Sequence, residues 1–135
     1  VHYTENEATV ACVLFADWTD AKPAREWTCH VSEVAPYVPG SFYLRELPCL
    51  LTALQQVDRE AEPLRAVVID GYVWLERDEN GEPKPGLGAR LYAALNQTVP
   101  VIGVAKTAFA GASEAIPVLR GQSQTPLYVS AVGVD

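Results

Sequence analysis

Residues 66–71 read AVVIDG, an apolar run that ends in an aspartate and a glycine. A continuous apolar run bounded by a turn is typical of a buried strand of a parallel sheet. Residues 99–105, VPVIGVA, form a second such run, with its proline near the start, where a missing donor is tolerated. Between the two runs, the sequence predicts a polar loop over residues 76–85 and a short helix over residues 87–95.

The first part of the chain has a different pattern. Residues 8–16 and 25–31 are predicted as two strands, and their short polar connection favours antiparallel pairing. Leucine and valine recur at helical spacing from Leu44 to Val57. Because a helix tolerates proline only in its first turn, Pro48 predicts a start about three residues before it. With a final hairpin over residues 116–134, this order predicts an α/β fold with a mixed sheet covered by helices.

Composition limits the function classes. With 135 residues, 49% hydrophobic and 20% charged, the chain is expected to form one globular domain. A net charge of -7 argues against a broadly basic protein that coats nucleic acid. Without a signal peptide or a long apolar segment, the expected location is the cytoplasm, with no membrane span. Three scattered cysteines are expected to be reduced thiols.

Three charged residues stand at the ends of predicted elements. Asp70 ends the first buried strand, at the sheet edge where ligand sites of α/β proteins collect. Lys106 follows the second buried strand, and Glu46 lies near the start of the predicted helix, at the edge of its apolar arc. Each also has an ordinary explanation: Asp70 could belong to an Asp-Gly turn, Lys106 could be a solvated lysine, and Glu46 could be a glutamate favoured by the helix dipole. If they converge, two carboxylates and a lysine suit a divalent cation and a phosphate.

Four segments, in matching order, resemble motifs of the endonuclease V family. Residues 37–48, YVPGSFYLRELP, resemble its Tyr-x-Pro-Gly followed by Arg-Glu-Ile/Leu-Pro. Residues 67–71, VVIDG, resemble its strand that ends in Asp-Gly, and residues 86–89, GLGA, its following turn. Residues 101–107, VIGVAKT, resemble its Gly-Val-Ala-Lys-Ser/Thr. The ordered set spans most of residues 37–107.

The resemblance implies an RNase H-like fold, with a mixed five-stranded sheet of three antiparallel and two parallel strands flanked by helices. It implies an endonuclease that uses Mg²⁺ or Mn²⁺ to hydrolyse a phosphodiester near a deaminated base (inosine) in DNA or RNA. It assigns Glu46 and Asp70 to the metal, and Lys106 to the attacking water or the scissile phosphate. The candidate nucleic-acid contacts are Tyr37, Pro39, Gly40, Gly71, Tyr72 and Arg90. The first two would belong to a wedge that opens the strands, and Gly40 would allow close approach of the backbone.

The chain departs from the family pattern at both ends. The first metal-binding aspartate of the family would precede Val1, and its last helix would follow Asp135. We therefore expect either a sequence trimmed at both ends or a domain that lacks part of the catalytic machinery.

The loop that reads the lesion also departs from the pattern. After the strand aspartate, the family has Gly-His-Gly-x-Ala-His, whereas residues 71–76 here read GYVWLE. A later histidine of the family corresponds to Arg90, which could contact a phosphate or face solvent. Tyr72 or Trp74 could stack on a base or pack against the domain. Two function classes remain open, a metal-dependent endonuclease, whether for deaminated bases or for another nucleic-acid structure, and a catalytically impaired module that binds nucleic acid.

Overall fold

The computed structural model describes residues 1–112 and 114–134. The chain divides into two compact units, Val1–Glu62 and Pro63–Asp135. None of the helices found in the described ranges combines the length and the apolar character needed to cross a membrane. The three cysteines are free thiols, as expected.

The first unit is an antiparallel sheet with one helix packed against it. Its elements, in chain order, are β1 (His2–Thr4), β2 (Glu7–Leu14), β3 (Arg25–Val31) and α1 (Tyr43–Leu54). The central strand β2 alternates in burial, so that Ala8 and Val10 form one buried cluster with Cys49 and Ala53 of α1. The predicted antiparallel pairing of the first two long strands is confirmed.

Helix α1 begins earlier than predicted. The sequence places its start about three residues before Pro48, but the helix begins at Tyr43, so the proline lies in its second turn. The amides of Leu44 and Arg45 donate to carbonyl oxygens three residues back, at 3.1 Å, and these bonds close a tight first turn ahead of the proline. The proline therefore lies two residues further into the helix than expected, where its missing N–H removes the intrahelical donor to the Leu44 carbonyl oxygen.

The second unit is built on a four-stranded mixed sheet. Its elements, in chain order, are β4 (Val67–Asp70), β5 (Trp74–Arg77), β6 (Pro83–Pro85), α2 (Leu87–Ala94), β7 (Val101–Ala105), β8 (Ile116–Val118) and β9 (Leu127–Val132). The strand order is β4-β7-β9-β8, with β4 parallel to β7 and the other neighbours antiparallel. Helix α2 packs against β7 and β9 and buries Leu91 completely. The predicted parallel pair, the intervening helix and the final hairpin are confirmed.

The predicted loop over residues 76–85 is wrong, because most of it belongs to a hairpin of β5 and β6. Asp78 makes the turn: its Oδ1 accepts the backbone N–H of Asn80 at 2.8 Å and of Glu82 at 3.0 Å. A polar side chain that closes a turn in this way leaves no apolar alternation in the sequence. Prolines are tolerated in β6 because a two-stranded ribbon leaves donor positions unpaired at its edges.

Candidate active site

Asp70 and Lys106 lie at the same edge of the second unit. Asp70 is the last residue of β4 and pairs with Val104 of β7, and Lys106 comes two residues after Val104. Because β4 and β7 are parallel neighbours and β7 ends at Ala105, both residues lie at the carboxyl ends of adjacent strands. The structure therefore brings together these two predicted residues, and both are exposed.

The charges of Asp70 and Lys106 are available to a ligand. Within residues 63–112 and 114–134, no side chain forms a hydrogen bond or ion pair with either group, and the two do not pair directly with each other. Asp70 and Lys106 therefore present opposite charges at one edge of the sheet. This arrangement suits an ionic ligand with both charged and polar oxygen atoms, such as a phosphodiester with a cation.

Glycines fix the path of the chain after Asp70. Gly71 has a φ of +148° and donates its N–H to the Val104 carbonyl oxygen at 3.0 Å. The Gly71 carbonyl oxygen then passes directly over Gly103, where a Cβ would stand only 2.4 Å from it. Next, the Val73 N–H donates to the buried Ser130 Oγ at 3.0 Å. The turn that carries Asp70 is thus held by contacts with both β7 and β9.

The turn at residues 86–89 packs on this same segment. The N–H of Gly88 donates to the Tyr72 carbonyl oxygen at 3.1 Å, and the N–H of Gly86 donates to that of Val73 at 2.9 Å. A Cβ on Gly88 would stand 2.6 Å from the Val73 Cγ2 atom. The first amides of α2 therefore bind the protein's own carbonyl groups rather than an anion. Arg90, in the first turn of α2, is half-buried.

Both aromatic residues of the divergent loop have polar partners within the second unit. The Tyr72 hydroxyl donates to the Thr107 carbonyl oxygen at 2.7 Å, and the Trp74 Nε1–H donates to the Ala131 carbonyl oxygen at 3.2 Å. Both side chains are half-buried. The packing of these aromatics against the domain, one of the two possibilities left open by the sequence, is therefore observed.

Glu46 lies in the first unit, in the early part of α1, where it is half-buried. Tyr3 of β1 is close by, with the Arg45 guanidinium carbon 3.8 Å from the centre of its ring. Burial, together with the negative charge of Glu46, raises the pKa values of the Tyr3 hydroxyl and the Cys49 thiol. Sequence reasoning missed Tyr3 and Cys49 as neighbours of Glu46, although the helical spacing of residues 46 and 49 would have indicated the second.

The segment expected to form a wedge precedes α1. Val38 to Ser41 form a tight turn, closed by a 3.0 Å hydrogen bond from the Ser41 N–H to the Val38 carbonyl oxygen. Pro39 and Gly40 occupy its central positions, and the φ of +79° at Gly40 is one that glycine adopts readily. Tyr37 precedes the turn and is 60% exposed. An exposed aromatic side chain beside a rigid turn is suited to contact a ligand.

The predicted residues are thus divided between the two units. Asp70, Gly71, Tyr72 and Lys106 lie together at one edge of the second unit. Glu46 and the turn segment with Tyr37 lie near the start of α1 in the first unit. That Glu46 meets Asp70 around a metal ion stays a prediction. Among residues 1–112 and 114–134, no three or more His, Cys, Asp or Glu side chains form a group that could hold a metal ion.

Comparisons with known proteins place the chain in a family. A family model of endonuclease V matches residues 1–134. The chain is 29% identical to endonuclease V of Nostoc punctiforme over 126 residues, which cover 93% of this chain and 51% of that protein. It is 30% identical to endonuclease V of Xanthomonas oryzae pv. oryzae over 131 residues, which cover 96% and 50%. The chain spans about half the length of the curated relatives it matches.

Solved structures agree with the fold. The catalytic domain of human endonuclease V superposes with a TM-score of 0.67 at 24% identity, covering 96% of this chain and 63% of that one. Endonuclease V from Streptomyces avermitilis gives a TM-score of 0.54 at 27% identity, covering 92% and 64%. The expected α/β, RNase H-like fold class is confirmed. Since the family model covers nearly every residue, the chain belongs to the endonuclease V family.

Proposed function

We propose that this chain carries the active site of a metal-dependent endonuclease, which hydrolyses a phosphodiester near a deaminated base, inosine, in DNA or RNA. The observation that supports this most directly is the placement of Asp70 and Lys106 at the carboxyl ends of two adjacent parallel strands. A member of the endonuclease V family with these two charges at one sheet edge has the groups needed to bind a cation and a phosphate together. In this proposal the protein is cytoplasmic and acts in DNA repair.

The donor set suits Mg²⁺ or Mn²⁺. Carboxylate oxygens are hard ligands of the kind these ions prefer, and the exposed Asp70 carboxylate makes no hydrogen bond or ion pair within residues 63–112 and 114–134. We propose that Glu46 and Asp70 hold the ion. When bound, it would supply an activated water and neutralise charge on the leaving oxygen. The Lys106 ammonium, with three N–H donors, would hold the attacked phosphate group or the water.

The remaining predicted residues are proposed to contact the nucleic acid. The rigid turn of Pro39 and Gly40 presents Tyr37, which would part the strands so that a base can leave the stack, at a free energy of a few kcal/mol. Gly71 would allow the nucleic acid to approach the backbone next to Asp70, and Arg90 would contact a phosphate from the second unit.

A second candidate function is a nucleic-acid-binding module without catalysis. It is favoured by positions where the family pattern has histidine and this chain does not, among them Tyr72 and Arg90. Histidine is the residue type that ordinarily exchanges a proton near neutral pH, and that chemistry is lost with its replacement. In this alternative the fold and the binding surface are kept, but no bond is cleaved.

A cleavage assay separates these candidates. The protein is incubated with Mg²⁺ or Mn²⁺ and with single-stranded and duplex DNA and RNA, each with and without one inosine. Asp70→Asn keeps the shape of the side chain but removes its charge, and we expect it to lower cleavage by at least about 100-fold, since even outer-shell changes at metal sites cost 10–100-fold. Asp20→Asn is the matched control, because Asp20 accepts a backbone N–H in the connection between β2 and β3, a role that asparagine can keep.

The outcomes are distinct. Inosine-dependent cleavage that Asp70→Asn abolishes and Asp20→Asn preserves supports the proposal. Equal cleavage by the wild-type protein and Asp70→Asn removes Asp70 from the mechanism. Binding without cleavage under every condition favours the binding module, and cleavage that ignores inosine favours a nuclease for another nucleic-acid structure.

A further inference from the structure

The Tyr72 hydroxyl bridges two points of the loop that follows Lys106. It donates to the Thr107 carbonyl oxygen at 2.7 Å and accepts the backbone N–H of Phe109 at 3.1 Å. The Tyr72 ring also packs on the Phe109 ring, with centroids 5.9 Å apart and an angle of 53° between the planes. One side chain thus satisfies two backbone groups of a segment that has no regular secondary structure.

Tyr72 can make this bridge because its own backbone is fixed. Its carbonyl oxygen accepts the Gly88 N–H at 3.1 Å, and the following Val73 is completely buried. A tyrosine hydroxyl has one O–H donor and free lone pairs, so it can donate to the Thr107 carbonyl oxygen and accept the Phe109 N–H at the same time. The rigid partner is therefore the turn after β4, and the loop after β7 is the part that it orders.

The bridge connects the two charged residues of the site. Tyr72 lies two residues after Asp70, and Thr107 directly follows Lys106. Lysine has a long flexible side chain, and an unrestrained backbone at its base would add to the disorder of the ammonium group. Holding the Thr107 carbonyl restricts where the Lys106 side chain begins relative to Asp70, which is the kind of support that a preorganised site needs.

We propose that Tyr72 is a positioning residue that orders the backbone of the Lys106 loop through its hydroxyl, and so sets the approach of Lys106 to the scissile phosphate. The proposal rests on the proposed function, since it takes Lys106 to act on the substrate. It gives Tyr72 a role different from base stacking, which would use the ring face and would not need the hydroxyl.

The bridge is tested first without any substrate. In Tyr72→Phe, the Phe109 amide loses its acceptor, and we expect its hydrogen exchange, measured by NMR, to become roughly fivefold faster. Tyr92→Phe is the matched control. Tyr92 lies in α2 with its ring against Gly133, which follows the end of the β7 and β9 pair opposite to the Lys106 loop. Unchanged Phe109 exchange in Tyr72→Phe would overturn the bridge, whatever the protein cleaves.

The coupling to Lys106 is tested by a double-mutant cycle on cleavage. We expect Tyr72→Phe to lower kcat about 5- to 10-fold with little change in KM, and to have less than a twofold effect in the Lys106→Met background, since residues that act through one another are not additive. An equal loss of kcat in both backgrounds would overturn the positioning role.

Base stacking gives another result. In that case Tyr72→Phe cleaves normally, while Tyr72→Leu raises KM in both backgrounds, and the positioning role is overturned. If the wild-type protein cleaves no substrate, the proposed function fails and the role in cleavage fails with it, while the exchange measurement still decides whether the bridge exists.

Discussion

Replacing Gly103 with alanine is expected to destabilise the protein strongly, because the new methyl group would occupy space that the turn after Asp70 already uses. The added Cβ would stand 2.4 Å from the Gly71 carbonyl oxygen, 3.1 Å from the Val73 nitrogen and 3.2 Å from Ser130 Oγ. Carbon and oxygen atoms normally approach to about 3.3 Å, so the Gly71 carbonyl group would have to move by roughly 1 Å.

The magnitude follows from what resists that movement. The N–H of Gly71 is bonded to Val104 at 3.0 Å and that of Val73 to Ser130 Oγ at 3.0 Å, so the turn cannot lift without weakening one of these bonds. Overpacking costs about 1–3 kcal/mol, and a weakened hydrogen bond adds about 1 kcal/mol. We expect Gly103→Ala to lower the free energy of unfolding by about 2–4 kcal/mol.

Urea denaturation followed by circular dichroism measures this change. With an m-value of about 2 kcal/mol/M, the midpoint should fall by roughly 1–2 M. Gly121→Ala is the matched control, since Gly121 has a φ of +51° but nothing within 4 Å of its Cβ position. Left-handed strain alone should cost about 1 kcal/mol there. If the two variants unfold at the same urea concentration, the Gly71 carbonyl oxygen does not lie as close to Gly103 as described.

Three further predictions concern other contacts. Burial, and to a smaller extent the neighbouring Cys29, raise the pKa of the Cys12 thiol. Alkylation of Cys12 at pH 8, measured by mass spectrometry, should therefore be slower in the folded protein than in urea, and it should accelerate as the pH rises. Trp27→Phe removes the 3.2 Å hydrogen bond from Nε1–H to the Ala53 carbonyl oxygen. Because that oxygen keeps a backbone donor at the end of α1, thermal unfolding should show that the free energy of unfolding falls by only about 1 kcal/mol. A backbone hydrogen bond lowers the pKa of Glu76, and the Lys84 ammonium at 3.2 Å lowers it further. The stability that this shift contributes is fully present above the pKa of Glu76 in the unfolded chain, and it is lost as the pH falls through the pKa of Glu76 in the folded protein. Lys84→Met should therefore raise the NMR-measured pKa of Glu76 only partway towards its usual value.

The sequence predicted the parallel pair and its edge because their signals are local. Continuous apolar runs identify β4 and β7 as buried, and a helix between them favours parallel pairing. Parallel strands present their carboxyl ends at one edge, so the sequence alone places Asp70 and Lys106 at the same edge of the sheet.

The features that the sequence did not predict depend on single polar groups or on distant partners. The β5 and β6 hairpin is closed by one carboxylate, that of Asp78, and has no apolar alternation to reveal it. Helix α1 begins at Tyr43 with a tight first turn, which helical periodicity does not encode. The bridge from Tyr72 to Thr107 joins residues 35 positions apart, and neither residue carries a local signal for the other.

Three glycines in or next to the family-like motifs make room for the peptide that follows Asp70. A Cβ at Gly86 would stand 2.8 Å from the Tyr72 carbonyl oxygen, one at Gly88 2.6 Å from Val73 Cγ2, and one at Gly103 2.4 Å from the Gly71 carbonyl oxygen. The backbone of residues 71–73 is therefore fixed by close contacts that do not involve the Tyr72 ring or hydroxyl. Because of this, the side chain at position 72 can differ from histidine without displacing Asp70, and its replacement alters the Lys106 loop instead. For the same reason, Tyr72→Phe tests that loop with Asp70 in place, whereas Gly103→Ala would move the carboxylate itself.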